Sequence, residues 1–139
     1  MRSARRNIGW VLAIGMLAAA AAGPLAAGNA TSAGPVTVSQ AAFPVTAADK
    51  PYDLINLVLD FAPGTGIPKH IHGGPVVATV LTGQLVLQQA GQEQVVKAGE
   101  SFREQTGTVH AVVNRGALTT RVAVSILLPL GAEATTLVK

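Results

Sequence analysis

The sequence predicts an all-β domain, and three observations carry this prediction. Short runs rich in Val, Leu, Ile and Thr recur along the chain, and glycine-containing turn sequences separate them about every ten residues. No apolar pattern with the helical period of about 3.6 residues persists. Regular short strands in this number are typical of a sandwich or a barrel. We find neither an internal repeat nor a second domain.

The first 30 residues have the layout of an export signal. Arg2, Arg5 and Arg6 precede an apolar, alanine-rich stretch from Ile8 to Ala22, and small residues follow it. This stretch holds about 15 residues, whereas a membrane-spanning helix needs about 20 strongly apolar ones. We therefore expect residues 1–30 to be a cleaved signal peptide and the protein to be periplasmic or secreted. Retention of the leader as a membrane anchor is the alternative.

Removal of the leader changes the charge of the chain. The leader arginines account for the whole formal net charge of +3, and residues 31–139 carry seven basic and seven acidic side chains. The remaining basic residues are scattered singly and form no stripe, so the sequence indicates no nucleic-acid partner. The chain has no cysteine and therefore no disulfide. About 109 residues are enough for one domain with a hydrophobic core.

The predicted strands follow one another in chain order. They are Pro35–Ser39, Leu54–Phe61 (LINLVLDF), Val76–Leu81 (VVATVL), 85–89 (LVLQQ), 93–97 (EQVVK), 108–114 (TVHAVVN) and 119–130 (TTRVAVSILLPL). The turn sequences are PGTG at 63–66, TG at 82–83, AG at 90–91, AGE at 98–100 and NRG at 114–116. Residues 31–34 form a linker of small residues before the first strand.

The three histidines of the chain are candidate metal ligands. His70 and His72 lie in PKHIHGGPV, after a Gly/Pro-rich loop, where we expect an extended segment to begin, and His110 lies in TVHAVVN. Residues two apart on a strand face the same side of a sheet, so both rings can converge on one ion. An antiparallel neighbour could bring His110 opposite them. The alternative is a solvated strand end with a hydrogen-bonded core histidine.

The spacing of these residues resembles that of the cupin family. The first cupin motif is Gly, five residues, His-x-His, three or four residues, Glu, six residues, Gly; here Gly64, His70, His72 and Gly83 match it. The second motif is Gly, five residues, Pro-x-Gly, two residues, His, three residues, Asn; here Gly99, Gly107, His110 and Asn114 match it. The resemblance spans about residues 53–128. We expect Asn114 to cap a turn.

This resemblance implies the fold and the partners. It implies a single-domain, cupin-type double-stranded β-helix, which is a jelly-roll barrel, over residues 51–139, preceded by a linker and an edge strand over residues 31–50. The expected partner is a small-molecule ligand or substrate. Exchange of the segment Pro35–Ser39 between two copies would give a homodimer. A membrane would be a partner only if the leader were not cleaved and anchored the chain in it.

Two positions depart from the family pattern. Val76 stands where the first motif has its metal-binding Glu, and Gln105 stands where the second has Pro. The resemblance therefore implies one divalent metal ion held by His70, His72 and His110, and Fe, Mn, Ni, Cu and Zn all remain open because imidazole suits several metals. Glu104 is the candidate catalytic residue, as a general base or a fourth ligand. The alternative is a solvated side chain beside an exposed loop.

Three functions are compatible with such a site. Three-histidine cupins include dioxygenases, so the resemblance implies an exported dioxygenase that acts on a small enolisable or polyphenolic substrate, with Val76, Val77 and Val80 as candidates for a water-excluding wall. The alternative is a non-enzymatic periplasmic protein that binds a metal or a small ligand. A third function is a metal-independent cupin whose histidines bind an anionic ligand.

The leader yields the first testable prediction. We expect exported protein to begin near Thr31, because the alanine-rich stretch is too short and too weakly apolar to anchor the chain. Intact-mass measurement of the exported protein checks this, and a mass that still includes residues 1–30 contradicts it.

Overall fold

The computed structural model describes residues 34–139, which form ten strands and no helix. The strands are β1 Val36–Ala47, β2 Lys50–Phe61, β3 Gly66–Ile71, β4 Val76–Thr82, β5 Gln84–Gln89, β6 Gln92–Lys97, β7 Ser101–Glu104, β8 His110–Val113, β9 Thr120–Pro129 and β10 Thr136–Leu137. The prediction of an all-β chain is confirmed. Nothing in this part of the chain is a helix able to cross a membrane. The predicted export signal lies outside the described residues.

The strands form two five-stranded antiparallel sheets. The first has the order β1-β2-β9-β4-β7 and the second the order β10-β3-β8-β5-β6. Strands that follow one another in the chain often lie in different sheets, so the chain winds between the two layers. The apolar faces of both sheets share one core, because buried residues of β2, β4 and β9 pack with those of β5, β6 and β8.

The period of two along each strand sorts side chains into inner and outer faces. On β4, Val76 and Val80 are 1% and 0% exposed, whereas Val77 between them is 51% exposed. The prediction that Val77 belongs to the apolar wall is therefore wrong, because its parity on the strand directs it outward. Ile55, Ile126 and Leu128 join Val76 in a smaller apolar cluster.

Four elements differ from the prediction, and the first is β1, which runs to Ala47 and not only to the predicted end at Ser39. The four-residue β7 and the two-residue β10 are absent from the prediction, because each is too short to show an alternating pattern. The prediction that the HxH pair begins a strand is wrong. His70 lies near the end of β3, and His72 follows its last residue because a Gly-Gly-Pro turn ends the strand there.

β3 contains a bulge that determines which way its histidine points. Ile67 pairs with Val112 and His70 pairs with His110 on β8, so three residues of β3 span two of β8. Pro68 lies within this step and has no N–H for the ladder. The extra residue restores parity, so that Ile67 and His70 both face the interior although they are three positions apart.

Asn114 connects three segments at the end of the barrel opposite to the histidines. It is fully buried, and its Nδ2 donates to the carbonyl oxygens of Phe61 and Leu118, each at 2.8 Å. Its Oδ1 accepts from the Gly116 N–H at 2.8 Å. The expected turn cap is confirmed, and the same side chain also ties the turn to the end of β2.

We expect Asn114→Ala to lower the free energy of unfolding by about 3 kcal/mol, because it leaves buried backbone groups without partners. Asn56→Ala is the control, since Asn56 is half-buried and makes one side-chain hydrogen bond, to Ser125 at 2.7 Å. We expect Asn56→Ala to lower the free energy of unfolding by about 1 kcal/mol. Urea unfolding in the presence of a chelator measures both, and equal losses would contradict the structural role of Asn114.

Candidate metal centre

Three strands bring the predicted site residues together at one end of the barrel. β3 contributes His70, β8 contributes His110 directly opposite it, and β7 ends at Glu104. His72 follows β3, and its carbonyl oxygen accepts a 3.0 Å hydrogen bond from Gly107 in the loop that joins Glu104 to His110. The four side chains are buried, and one potential donor atom from each lies within 4.8 Å of the others. The structure therefore places all four predicted residues in one cluster.

Backbone carbonyl groups fix the orientation of each imidazole. The Nδ1 atoms of His70, His72 and His110 lie 2.8, 2.7 and 2.8 Å from the carbonyl oxygens of Pro68, Ala134 and Thr108. A carbonyl oxygen can only accept, so each Nδ1 carries the hydrogen. In the neutral ring the lone pair then lies on Nε2. The three Nε2 atoms therefore offer lone pairs, which is the form that metals bind. The hydrogen bonds made by Nδ1 correspond to those that metal-binding histidines usually make through their other ring nitrogen.

The carboxylate of Glu104 faces two of these nitrogens. Its Oε2 lies 3.1 Å from Nε2 of His72, and its Oε1 lies 3.0 Å from Nε2 of His110. The His110 nitrogen nevertheless has no hydrogen bond of acceptable geometry, the one such buried side-chain atom among residues 34–139. A carboxylate oxygen and a nitrogen lone pair repel each other at this distance unless a proton or a cation lies near both. The donor set therefore fits a metal cation.

Burial and mutual contacts shift the pKa values within the cluster. Burial raises the pKa of Glu104, but contacts with His110 and His72 outweigh it and hold that pKa at about 2. Burial lowers the pKa of His70 to about 4. For His110, burial lowers the pKa, but the neighbouring Glu104 reverses the effect and the pKa is raised. At neutral pH Glu104 is thus ionised and His70 is neutral, the forms in which both bind a metal.

Glu104 supplies a carboxylate from β7, whereas the glutamate position of the first motif, here Val76, lies on β4. Glu104 is 4% exposed, so the solvated alternative is wrong. Val76, at the motif position, packs in the smaller apolar cluster and pairs directly with Glu104 across β4 and β7. Because these two residues are directly paired, a carboxylate at either position would extend from the same height of the first sheet. The sequence separates these two residues by 28 positions, and only the strand register reveals that they are neighbours.

A small cavity extends from the cluster into the core. Its volume is about 70 Å³. It is lined by His70, His72, Glu104 and Thr135 and by eleven apolar residues, namely Leu57, Leu59, Phe61, Ile67, Ala78, Leu85, Phe102, Val112, Val122, Val124 and Ile126. Thr135 is itself an exposed residue, so the cavity reaches the surface beside it.

Residues 132–138, which we name the C-terminal strap, cross the barrel beside the histidines. Ala134 accepts the hydrogen of His72 Nδ1, and the Gly73 N–H donates to the Glu133 carbonyl at 3.1 Å. A Cβ atom at Gly73 would collide with that carbonyl, so glycine permits the close approach. Sequence reasoning missed Ala134 and Thr135. No signal identifies Ala134, because it acts through its backbone carbonyl. Thr135 acts through its hydroxyl group, but it lies 63 positions from His72 in the chain and outside both motifs.

A second, more polar groove of about 490 Å³ lies near the β5–β6 turn. Its lining includes Lys69, Gln88, Gln89, Gln92 and Glu93, together with His110. Arg115 pairs with Glu93 at 2.6 Å and neutralises this carboxylate. The groove is suited to a polar ligand.

Comparisons with known proteins agree with this description. Residues 57–126 match the family model described as Cupin domain. A Klebsiella pneumoniae protein with a double-stranded β-helix domain superposes with a TM-score of 0.56 at 24% identity over 76% of this chain and 85% of its own. A cupin superfamily protein from Desulfitobacterium hafniense gives 0.51 at 14% identity over 66% and 79%. Oxalate oxidase in complex with the substrate analogue glycolate gives 0.54 at 24% identity over 71% and 55%.

At these identities the structural similarity shows the fold alone. The predicted double-stranded β-helix is thereby confirmed. No match was found among curated proteins.

We expect His72→Ala to weaken metal binding more than about 100-fold, because even loss of an outer hydrogen bond to a ligand commonly costs 10- to 100-fold. Metal should then no longer raise the melting temperature, since only binding to the native state stabilises the protein. Calorimetric titration and melting with and without Zn²⁺ measure both effects. The chelator-treated variant provides the baseline, and an undiminished metal-dependent rise in melting temperature would show that His72 is no ligand.

Proposed function

This chain belongs to the cupin family, and from that premise we propose that it holds one divalent metal ion through His70, His72 and His110. One observation carries the proposal. Three buried imidazoles have their Nδ1 hydrogens committed to backbone carbonyls, so their Nε2 atoms are available to a single ion. Imidazole and carboxylate donors suit Fe, Mn, Ni, Cu and Zn, and the donor set does not select among them.

We assign Glu104 as the fourth donor. Its two oxygens contact two different histidines, and its pKa of about 2 keeps it ionised in a buried position. A general base would instead need access to a substrate proton. Both roles remain compatible with a carboxylate that lines the cavity, and the exchange described below separates them.

The enzymatic form of this proposal is an oxygenase that acts on a small enolisable substrate. A bound divalent metal supplies Lewis-acid chemistry, which lowers the pKa of an oxygen acid coordinated to it. The chain supplies a dry environment, because apolar side chains form most of the cavity lining. In its alternative role as a general base, Glu104 would accept that proton in place of binding the metal. The cavity of about 70 Å³ favours the small substrate over a polyphenol. The similarity of the fold to that of an oxalate oxidase is compatible with an oxidative function.

The alternative is a binding protein without turnover. The polar groove near the β5–β6 turn supports it, because about 490 Å³ is within the usual range for a small-molecule site. A metal-independent variant of this function would use the histidines to bind an anionic ligand.

Export and dimerisation complete the proposal. The basic, alanine-rich leader supports a periplasmic or secreted protein. The edge strand β1 carries Val36, Val38 and Phe43 with 66%, 48% and 52% of their surfaces exposed, which supports association with a second copy. Light scattering of the purified protein tests the dimer.

Metal analysis of protein purified without chelators tests the central proposal. About one equivalent of a divalent metal supports it, and a metal-free protein that also fails to bind added metals overturns it. Oxygen consumption by the iron-loaded protein with a panel of enolisable compounds then separates the enzyme from the binding protein. Tight binding of a ligand without oxygen consumption favours the latter.

An exchange of two opposed residues tests the fourth ligand. Because Val76 and Glu104 pair across β4 and β7, we expect Glu104→Val to weaken metal binding and the double variant Glu104→Val, Val76→Glu to restore it at least in part. The wild type and the double variant form a matched pair in which only the strand that carries the carboxylate changes, and Glu104→Val has a carboxylate at neither position. Calorimetric titration with Zn²⁺ measures both affinities.

The single variants supply the controls for this exchange. If Glu104→Gln retains the wild-type metal affinity, the carboxylate is a base and not a ligand. If Val76→Glu lowers the melting temperature without changing metal affinity, the new carboxylate is buried without a partner, at a cost of several kcal/mol. Position 76 would then serve core packing alone.

A further inference from the structure

The C-terminal strap is attached to the barrel mainly through hydrogen bonds. The Gly73 N–H donates to the Glu133 carbonyl at 3.1 Å, and the Val138 N–H donates to the Lys69 carbonyl at 2.8 Å. The strap packs against the core through two half-buried alanines, and its other side chains are exposed. A segment that buries so little apolar surface opens more readily than the strands of the core.

One attachment of the strap is made to a candidate metal ligand. Ala134 accepts the hydrogen of His72 Nδ1 at 2.7 Å, and Thr135 Oγ1 lies 3.2 Å from the same nitrogen. The other two imidazoles, those of His70 and His110, are oriented by carbonyl groups two residues earlier in the chain. Among the three histidines, therefore, only His72 is oriented by the strap.

Detachment of the strap would act on the centre through His72. Without Ala134, the Nδ1 hydrogen loses this acceptor, so the ring can rotate and the hydrogen can move to Nε2, which removes the lone pair that binds a metal. Loss of such an outer hydrogen bond commonly weakens metal binding 10- to 100-fold. Because coupling between two equilibria is reciprocal, a bound metal must favour the docked strap by the same factor.

The strap also borders the opening of the cavity beside the centre. Thr135 is exposed and lines this cavity together with His70, His72 and Glu104. The strap lies directly against the turn after His72, since a Cβ atom at Gly73 would collide with the strap backbone. An ion that leaves the cluster through this opening must pass the strap.

We propose that residues 132–138 act as a metal-coupled clamp: the docked strap positions His72 for the ion, the bound ion holds the strap in place, and the strap must lift before the ion can leave. Ala134 is in this sense a positioning residue, because it acts on the metal through His72. This inference rests on the proposed metal binding.

A reversible latch on the strap tests the clamp. Ile71 and Thr136 pair directly across β3 and β10, and directly opposed residues of antiparallel strands lie about 5.5 Å apart at Cα, within the range of a disulfide. The chain has no cysteine, so the double variant Ile71→Cys, Thr136→Cys can form only this disulfide within one chain. We expect the oxidised variant to release Zn²⁺ to a chelator at least about tenfold more slowly than the same variant reduced before metal loading.

Thr79 and Ser101 supply the matched control for the latch. They pair directly across β4 and β7, and their hydroxyl oxygens lie 2.8 Å apart on the outer face of the first sheet. Oxidation of Thr79→Cys, Ser101→Cys should leave the rate of Zn²⁺ release unchanged. Equal release from the oxidised and reduced forms of the latch variant would overturn the clamp, as would equal slowing in both disulfide variants.

Hydrogen exchange measures the coupling in the opposite direction. The N–H groups of Gly73 and Val138 donate across two attachments of the strap, so their exchange reports its opening. Saturating Zn²⁺ should slow both by about 10- to 100-fold. Ala98 is the control, because its N–H donates to Gly83, which follows the end of β4 that lies away from Glu104. Equal slowing of all three amides would indicate stabilisation of the whole barrel and would overturn the clamp.

Gly73→Ala weakens the clamp without replacing a proposed ligand. The added Cβ would collide with the Glu133 carbonyl and displace the strap, so we expect Zn²⁺ to bind about 10- to 100-fold more weakly. Oxidation of the latch cysteines at positions 71 and 136 in the same protein should recover part of this loss, which a general distortion of the turn would not allow. Wild-type affinity in a variant whose Val138 amide exchanges freely would overturn the clamp.

Metal analysis separates failure of the clamp from failure of the proposed function. Each sample is analysed for Zn²⁺ before the kinetic and exchange measurements. A wild-type protein that takes up no Zn²⁺ refutes the proposed metal binding itself. A protein that holds one equivalent of Zn²⁺, but whose strap amides exchange at the same rate with and without the metal, refutes the clamp alone.

Discussion

The pairing of His70 with His110 across β3 and β8 is the contact on which the rest of the site depends. A strand that slips by one residue presents its other face to the core, so register decides whether a histidine is a potential ligand or a surface residue. Here the register includes a bulge, which lets Ile67 and His70 share the inner face. The proline beside the histidines thus has a structural role, because it occupies the step where no ladder hydrogen bond is required.

A second constraint is the burial of charge. Glu104 is ionised in a position that is 4% exposed, and burial of an isolated carboxylate is among the most costly events in folding. Its contacts with His72 and His110 offset this cost in the metal-free protein, since the pKa of His110 is raised and this imidazole can hold a proton beside the carboxylate. A metal ion would displace that proton, so the same group stabilises either state of the centre.

The sequence predicted what depends on local pattern and missed what depends on register. Val-rich runs bounded by glycine turns identified β2, β4 and β9, because a buried strand of this length has a clear composition. His70, His72 and His110 were found from motif spacing. The burial of Glu104 was not, because β7 has only four residues and its direction is fixed by pairing with β4. Val77 was misassigned because a run of adjacent valines hides the alternation of the strand.

The hydrogen bond between His72 and Ala134 joins residues that are 62 positions apart in the chain. During synthesis the three histidines emerge well before the residue that orients one of them, so a nascent chain that ends before position 134 presents an imidazole that is free to rotate. The orientation of His72 is fixed only after residues 132–138 have been made and have folded back across the barrel. A metal bound by the proposed centre would therefore meet a fully oriented His72 only in a chain that has completed this step.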